Sequence, residues 1–509
     1  MSTLSRRILL VDAVILAGWV TSVGMVVWHE QGQFWGGTSN PRASLRATLE
    51  AQEQWFGLYY QGRKIGFSQT MLVPEEHEGM PGISIVDRGR LSFNLLGAPQ
   101  QLEVSARAFI DANWRLQTFT AAIHTATDQL TWTGRRQGDE LLVTVTTMDS
   151  TVTKRLRDPT GGAFINGLSS WVVFHRLHVG QAGKSWVLNP LALTPELVTF
   201  QVQRTDILDG TQVLVVETSA SGITTTSWVT PEGKVLKETS PLGWELRQES
   251  RTQAMEEPAQ RSPTLDLLSA TAVPIDQRLD DVAQIDRLIL LIEGAGANAF
   301  GIQRPWQQVL PPEQLDAYHR ATPPGPWCLL QLSRPVRRPA NPSILDSVRS
   351  YQQPSLFVQS DDARILAKAA AIVGARTDPW EQVEALTHWV YATLVKRLTV
   401  GLPSAVDVLN TPVGDCHEHT VLFTALARSR KIPTRMVAGL VYWDGQFYYH
   451  AWPEVWVGQW IPVDPTLGQS IADVTHLGLS EAENERLVTL SQFVGRLRVQ
   501  VLDVYRAGS

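Results

Sequence analysis

Cysteine is scarce. The 509-residue chain has two thiols, Cys328 and Cys416, with no C-x-x-C partner for either, so disulfides do not build the fold and paired-cysteine metal sites are excluded. Basic charge is also short: 44 Lys and Arg against 50 Asp and Glu leave a net charge of −6, and no Lys/Arg stripe runs through the sequence. A nucleic-acid partner is therefore not expected, because phosphate binding needs a positive field. Fixed-period repeats and long low-complexity tracts are absent too, which removes solenoids and extended disordered arms. What remains, 43% hydrophobic and 18% charged, is the composition of folded protein, and the length calls for two or three domains.

One apolar run is long enough to matter. Ile8 to Trp28 is 21 residues with Asp12 as its one charge, sufficient to cross a hydrocarbon core of about 30 Å. Arg6 and Arg7 precede it and nothing equally basic comes closely after, so the N-terminus is expected in the cytoplasm and the bulk of the chain outside it, periplasmic or at the cell surface. No small-x-small cleavage site comes after the run, so the reading is an uncleaved single-pass anchor over 1–30 rather than a removed signal.

A Gly-, Ser-, Gln- and Pro-rich linker over 31–51 leads to a β-rich region over 52–252. Gln101–Ala106, Leu141–Thr146 and Gln212–Glu217 have strand character, and Asp209-Gly210 and Glu232-Gly233 supply turn signals. These imply an antiparallel sheet, sandwich or open barrel, interrupted by a helix near Phe164–Leu177. Residues 253–345 read as a linker with a small β module around Leu288–Ile292. Cys328, in Trp327-Cys328-Leu329-Leu330, reads as a buried small hydrophobe.

Residues 346–509 switch to helical periodicity. One helix starts at Ser360-Asp361-Asp362. A second starts with Asp378 as cap, Pro379 at its first position and Glu381 completing a capping box, and carries a stripe of Val383, Leu386, Val390 and Leu394. A third opens at Gly414-Asp415-Cys416-His417-Glu418, where Asp415 and Glu418 are spaced to cap one another and make Cys416 the first helical residue. The helix dipole there favours thiolate over thiol, and an imidazolium beside it can bring a cysteine pKa from about 8.5 into the range 3.5–7.5. Antiparallel strands come next, with His450 on one and Asp464 ending another. Cys416 as nucleophile, His450 as proton shuttle and Asp464 as orienting carboxylate make a triad in the order Cys, His, Asp.

Gly414-Asp415-Cys416, Ile432-Pro433-Thr434-Arg435, His450-Ala451-Trp452-Pro453-Glu454-Val455 and Trp460-Ile461-Pro462-Val463-Asp464-Pro465-Thr466 together resemble the bacterial transglutaminase-like superfamily. The resemblance spans about 125 residues. It implies a papain-like fold and thioester chemistry on amide bonds of a protein or peptide, by transamidation or hydrolysis, without a cofactor. Lys431 departs from it, standing where these proteins commonly carry Gly. The fold expected is thus α+β: a transglutaminase-like domain behind an antiparallel β domain and a transmembrane helix.

The remaining candidates have plainer readings. His417 and His419 read as a solvent-facing and a packing histidine. A zinc site of Cys416, His417, His419 and Asp464 lacks any supporting spacing, so no metal is expected. Of the strand aromatics, Trp452 beside His450 is the one assigned to a substrate cleft. A non-catalytic envelope binding or scaffold protein that retains the fold is the alternative function.

Strand parity adds a constraint. A two-residue turn at Gly458-Gln459 would send His450 and Asp464 to opposite faces of the sheet, whereas a three-residue Val457-Gly458-Gln459 loop pairs Trp456 with Trp460 and puts them on one face. The triad requires the odd loop or a bulge.

Overall fold

The computed structural model describes residues 51–506 apart from breaks at 96–97, 113–114, 126–128, 158–176, 190–193, 221–222, 232–233, 241–242, 257–270, 301–303, 337–345, 398–403, 482–492 and 494. The anchor, nearly all of the 31–51 linker and the helix near Phe164–Leu177 lie outside the described residues. Two compact units divide the chain between Asp266 and Leu267.

The first unit is a single antiparallel sheet of fourteen described strands, β1 (Gln52–Tyr60) to β14 (Trp244–Glu249), with a short helix α1 (Arg251–Met255) after them. From β1 the strands pair in chain order out to β8 (Thr151–Arg157) at one edge. On its other side β1 pairs β14, and the order runs back to β9 (Ala182–Asn189) at the opposite edge. Phe56, Leu58 and Tyr60 point one way from β1 and are buried, with Leu246 and Trp244 opposite the last two, and Trp55 and Gly57 on the other face are buried as well. Asp209 and Gly210 both have positive φ, the hairpin turn expected of that dipeptide.

In the second unit, β15 (Ile285–Glu293), β16 (Gln307–Leu310), β17 (Trp327–Ser333) and β24 (Arg498–Arg506) form a sheet in the order β16-β17-β15-β24. Leu288 to Ile292 are all buried, as the interior strand of a sheet covered on both faces requires. The segment expected as linker and module is therefore continuous with the region over 346–509: its sheet takes a strand from near the C-terminus, and Val273 bridges Phe447. Hydrogen-bonding partners distant in sequence join the stretches on either side of residue 345 within one compact unit.

Helices α2 (Ala363–Val373), α3 (Pro379–Thr393), α4 (Ala405–Asn410) and α5 (Cys416–Ser429) come next. Asp362, rather than Ser360, caps α2, its carboxylate accepting from the Arg364 N–H at 2.8 Å. Asp378 caps α3 by accepting from the Trp380 and Glu381 N–H groups. The unit's second four-stranded sheet, β22-β21-β20-β23, is built from β20 (Thr434–Trp443), β21 (Gln446–Trp456), β22 (Trp460–Pro462) and β23 (Leu477–Glu481).

Every residue of α5 is buried, because the helix sits among α2, α3, α4, β20 and β21. His417 is accordingly inside, not solvent-facing. The helix ends in a Schellman motif: the Lys431 N–H donates to the Arg428 carbonyl at 2.9 Å and the Ile432 N–H to the Ala427 carbonyl at 3.1 Å. Lys431 occupies the left-handed position, with φ 64°. Such a conformation costs a non-glycine residue about 1–2 kcal/mol. Lys431→Gly, after allowing about 0.4–1 kcal/mol for the looser unfolded chain, is expected to raise stability by about 0.5–1 kcal/mol in urea denaturation; a loss of stability would show that the Lys side chain contributes more than its backbone costs.

Candidate active site

The capping box at the start of α5 is formed: Asp415 Oδ1 accepts from the His417 N–H at 3.0 Å, and Glu418 Oε2 accepts from the Asp415 N–H at 2.8 Å. Gly414 is required by this arrangement. A Cβ there would lie 2.3 Å from Glu418 Cγ, so any side chain would push Glu418 off the cap. Cys416 is the first residue of the helix. Burial and the neighbouring Glu418 carboxylate hold the Asp415 carboxyl well above the usual carboxylate range, which favours its neutral form beside the thiol.

The odd loop is present. Trp456 pairs with Trp460, Val455 with Ile461 and Glu454 with Pro462, leaving Val457-Gly458-Gln459 as the connection. His450 and Asp464 consequently share a face, and His450 Nε2 lies 2.7 Å from Asp464 Oδ2. Strand β21 is held to α5 by Thr420 Oγ1, which donates to the Ala451 carbonyl at 3.2 Å. His450 Nδ1 is buried without a hydrogen-bond partner among the described residues. Asp464 Oδ1 accepts from the Thr466 and Leu467 N–H groups at 2.7 and 2.9 Å, fixing the carboxylate plane. Burial pushes Asp464 up, but the two imidazoles bonded to it outweigh that and hold it well below the ordinary range.

The second imidazole is His476, which sequence reasoning missed. Its Nε2 lies 3.0 Å from the same Asp464 oxygen, and its Nδ1 3.3 Å from Asp473 Oδ1. No periodicity or cap marks residue 476. The one available signal was its short distance in sequence beyond Asp464. His450, Asp464 and His476 each place one ligating atom within 4.8 Å of the others, a spacing a metal ion could bridge. At 2.7 and 3.0 Å from Asp464 Oδ2 the two nitrogens also stand at hydrogen-bonding distance from the carboxylate.

Trp452 has no exposed surface. Its ring stacks on His450 at 6.0 Å and meets His476 edge-on at 5.1 Å. Gly439 makes room for it, because a Cβ there would lie 2.7 Å from the indole. His419 is pushed down to about 4 by burial, and burial lowers His417 as well. Both are held neutral near pH 7, so neither can supply the imidazolium that a thiolate requires. Burial pushes the Cys328 thiol up to about 12, leaving it inert.

A sequence profile of the transglutaminase-like superfamily matches residues 367–465, which include α5, His450 and Asp464. Residues 367–465 are a transglutaminase-like domain. No curated protein matches the chain significantly. Among solved structures, a candidate cysteine protease from Cytophaga hutchinsonii shares 15% identity over 42% of this chain and 83% of its own, with TM-score 0.27. A β-barrel-like protein of unknown function from Brucella abortus shares 12% identity over 39% of this chain and 94% of its own, with TM-score 0.29. These TM-scores are too low to define a common fold, so the transglutaminase-like domain rests on its sequence match and on its own geometry.

Proposed function

We propose that the protein is a cysteine enzyme acting on amide bonds through Cys416, His450 and Asp464, held outside the cytoplasm by its N-terminal apolar segment. The observation that carries this reading is the hydrogen bond between His450 Nε2 and Asp464 Oδ2, which leaves Nδ1 of a buried imidazole unpartnered on a strand packed against the helix that begins with Cys416. A cysteine helix backed by antiparallel strands bearing the histidine and the carboxylate is a papain-like disposition.

In the proposed reaction His450 takes the thiol proton and the Cys416 sulfur attacks the amide carbonyl. The C–N bond then breaks as His450 returns the proton to the leaving amine, giving a thioester. Water or a second amine attacks that thioester, its proton passing to His450 and on to the departing sulfur. Asp464 holds the imidazole in the tautomer that makes this possible. The substrate is a protein or peptide amide, and no cofactor takes part.

One observation favours the alternative of a scaffold or binding protein: Cys416, His450 and Asp464 all have no exposed surface. Iodoacetamide labelling of the full chain in its membrane fraction across pH separates the two. The enzyme reading expects Cys416 to react with a midpoint well below 8.5, the label to vanish in Cys416→Ala, and the midpoint to return toward 8.5 in His450→Ala. Failure of Cys416 to label at any pH, or indifference to His450, would support the scaffold. Recovery of the intact chain in the soluble fraction would oppose the anchor.

A further inference from the structure

His476 is wholly buried, and each of its ring nitrogens faces oxygen acceptors. Nε2 meets the Asp464 carboxylate at 3.0 Å, and Nδ1 meets both the Asp473 carboxylate at 3.3 Å and the Asp473 carbonyl at 3.2 Å. Acceptors at both nitrogens demand two N–H groups, which only the imidazolium has. Asp473 is itself fixed. Its Oδ1 accepts from the Thr475 N–H and hydroxyl at 2.9 and 2.6 Å, and its Oδ2 accepts from Gln469 Nε2 at 2.9 Å. The Asp473 N–H donates back to Gln469 Oε1 at 2.8 Å, and the Gln469 backbone exchanges two hydrogen bonds of 2.8 Å with Asp464. Residues 464–476 thus close a ring of contacts that begins on the Asp464 backbone and ends on its carboxylate.

We propose that His476, clamped as an imidazolium by Asp473, is a positioning residue that shares Asp464 with His450 and limits how strongly that carboxylate holds a proton on His450. A bare, buried Asp464 would trap His450 as imidazolium, able to stabilise a thiolate but slow to release its proton to a leaving amine. With His476 on the same oxygen, part of the charge is already cancelled. Burial works against a charged His476, yet the facing Asp473 and Asp464 outweigh it and push it up to about 10. The other ionisable groups acting on this cluster are His450 on β21, whose ring lies 5.9 Å from that of His476, His419 on α5 and Lys396.

The inference rests on the proposed cysteine chemistry, and its test uses iodoacetamide alkylation of Cys416 in the full chain between pH 4 and 11. In a thiolate–imidazolium pair the upper transition reports proton loss from His450. Removing a positive charge at this distance in His476→Gln is expected to move that transition up by about one to two pH units. Asp473→Asn, which keeps the His476 ring but weakens its protonation, is expected to move it in the same direction by less, and serves if His476→Gln does not fold. A folded variant whose transition superimposes on that of the parent would overturn the positioning role and leave His476 as packing. Loss of His450 dependence in the parent protein would instead remove the cysteine chemistry, and this inference with it.

Discussion

Glu454→Ala is expected to cost the C-terminal unit about 3–5 kcal/mol, because it strands two buried guanidinium groups. Glu454 Oε1 accepts from Arg304 Nε at 2.7 Å, and its Oε2 accepts from Arg435 Nε at 2.8 Å and lies 2.6 Å from the charged Arg435 Nη2. The Arg304 and Glu454 side chains are wholly buried and that of Arg435 is 7% exposed, so water cannot replace the lost carboxylate. Arg435 retains a weaker contact to Glu481 at 3.5 Å and its stacking on Trp460, whereas Arg304 loses the carboxylate at its Nε. Glu454 lies on β21 with His450, so the damage should reach the site and depress Cys416 reactivity as well. Urea denaturation monitored by tryptophan fluorescence measures the effect. A change below about 1 kcal/mol would mean that the site relaxes and admits water.

Asp464→Asn is expected to reduce amide turnover by about 10⁴-fold while leaving the fold in place. The reason lies in the two sides of the carboxylate. The asparagine carbonyl must stay on the Thr466 and Leu467 N–H groups that Oδ1 now serves, which turns the amide NH₂ toward both imidazoles. His450 Nε2 must then accept rather than donate, so its proton moves to Nδ1, the nitrogen needed as base. His476 loses its carboxylate at the same time. Iodoacetamide alkylation of Cys416 near pH 7 is expected to fall at least tenfold in the same variant, since the thiol reverts toward its ordinary pKa. A variant retaining alkylation rate and pH profile would remove Asp464 from the machinery and leave a Cys416–His450 dyad.

The parts of the site legible in the sequence were those set by short spacing. Asp415 and Glu418 are three apart, and that spacing was enough to place Cys416 at a capped helix start. The odd Val457–Gln459 loop came from the two-residue period of a strand, given that His450 and Asp464 had to meet. His476 was illegible because it reaches Asp464 from a loop with no period. The Glu454 pairing was hidden for a different reason: Arg304 stands 150 residues upstream, and nothing in either local sequence names the other. The same holds for β15, where five consecutive apolar residues announced a buried strand without saying which strands would flank it.

That pairing has a consequence for how the protein is made. Gln500 on β24 donates to Glu293 on β15, its partner 207 residues earlier, and the sheet needs both. A ribosome therefore delivers Leu288–Ile292 long before the segment that covers one flank of it. Contacts of such long range close slowly, and an apolar strand edge left waiting is prone to pair with other chains. During synthesis this unit should depend on a chaperone, and nascent chains stopped short of residue 498 should be the ones that quality control removes.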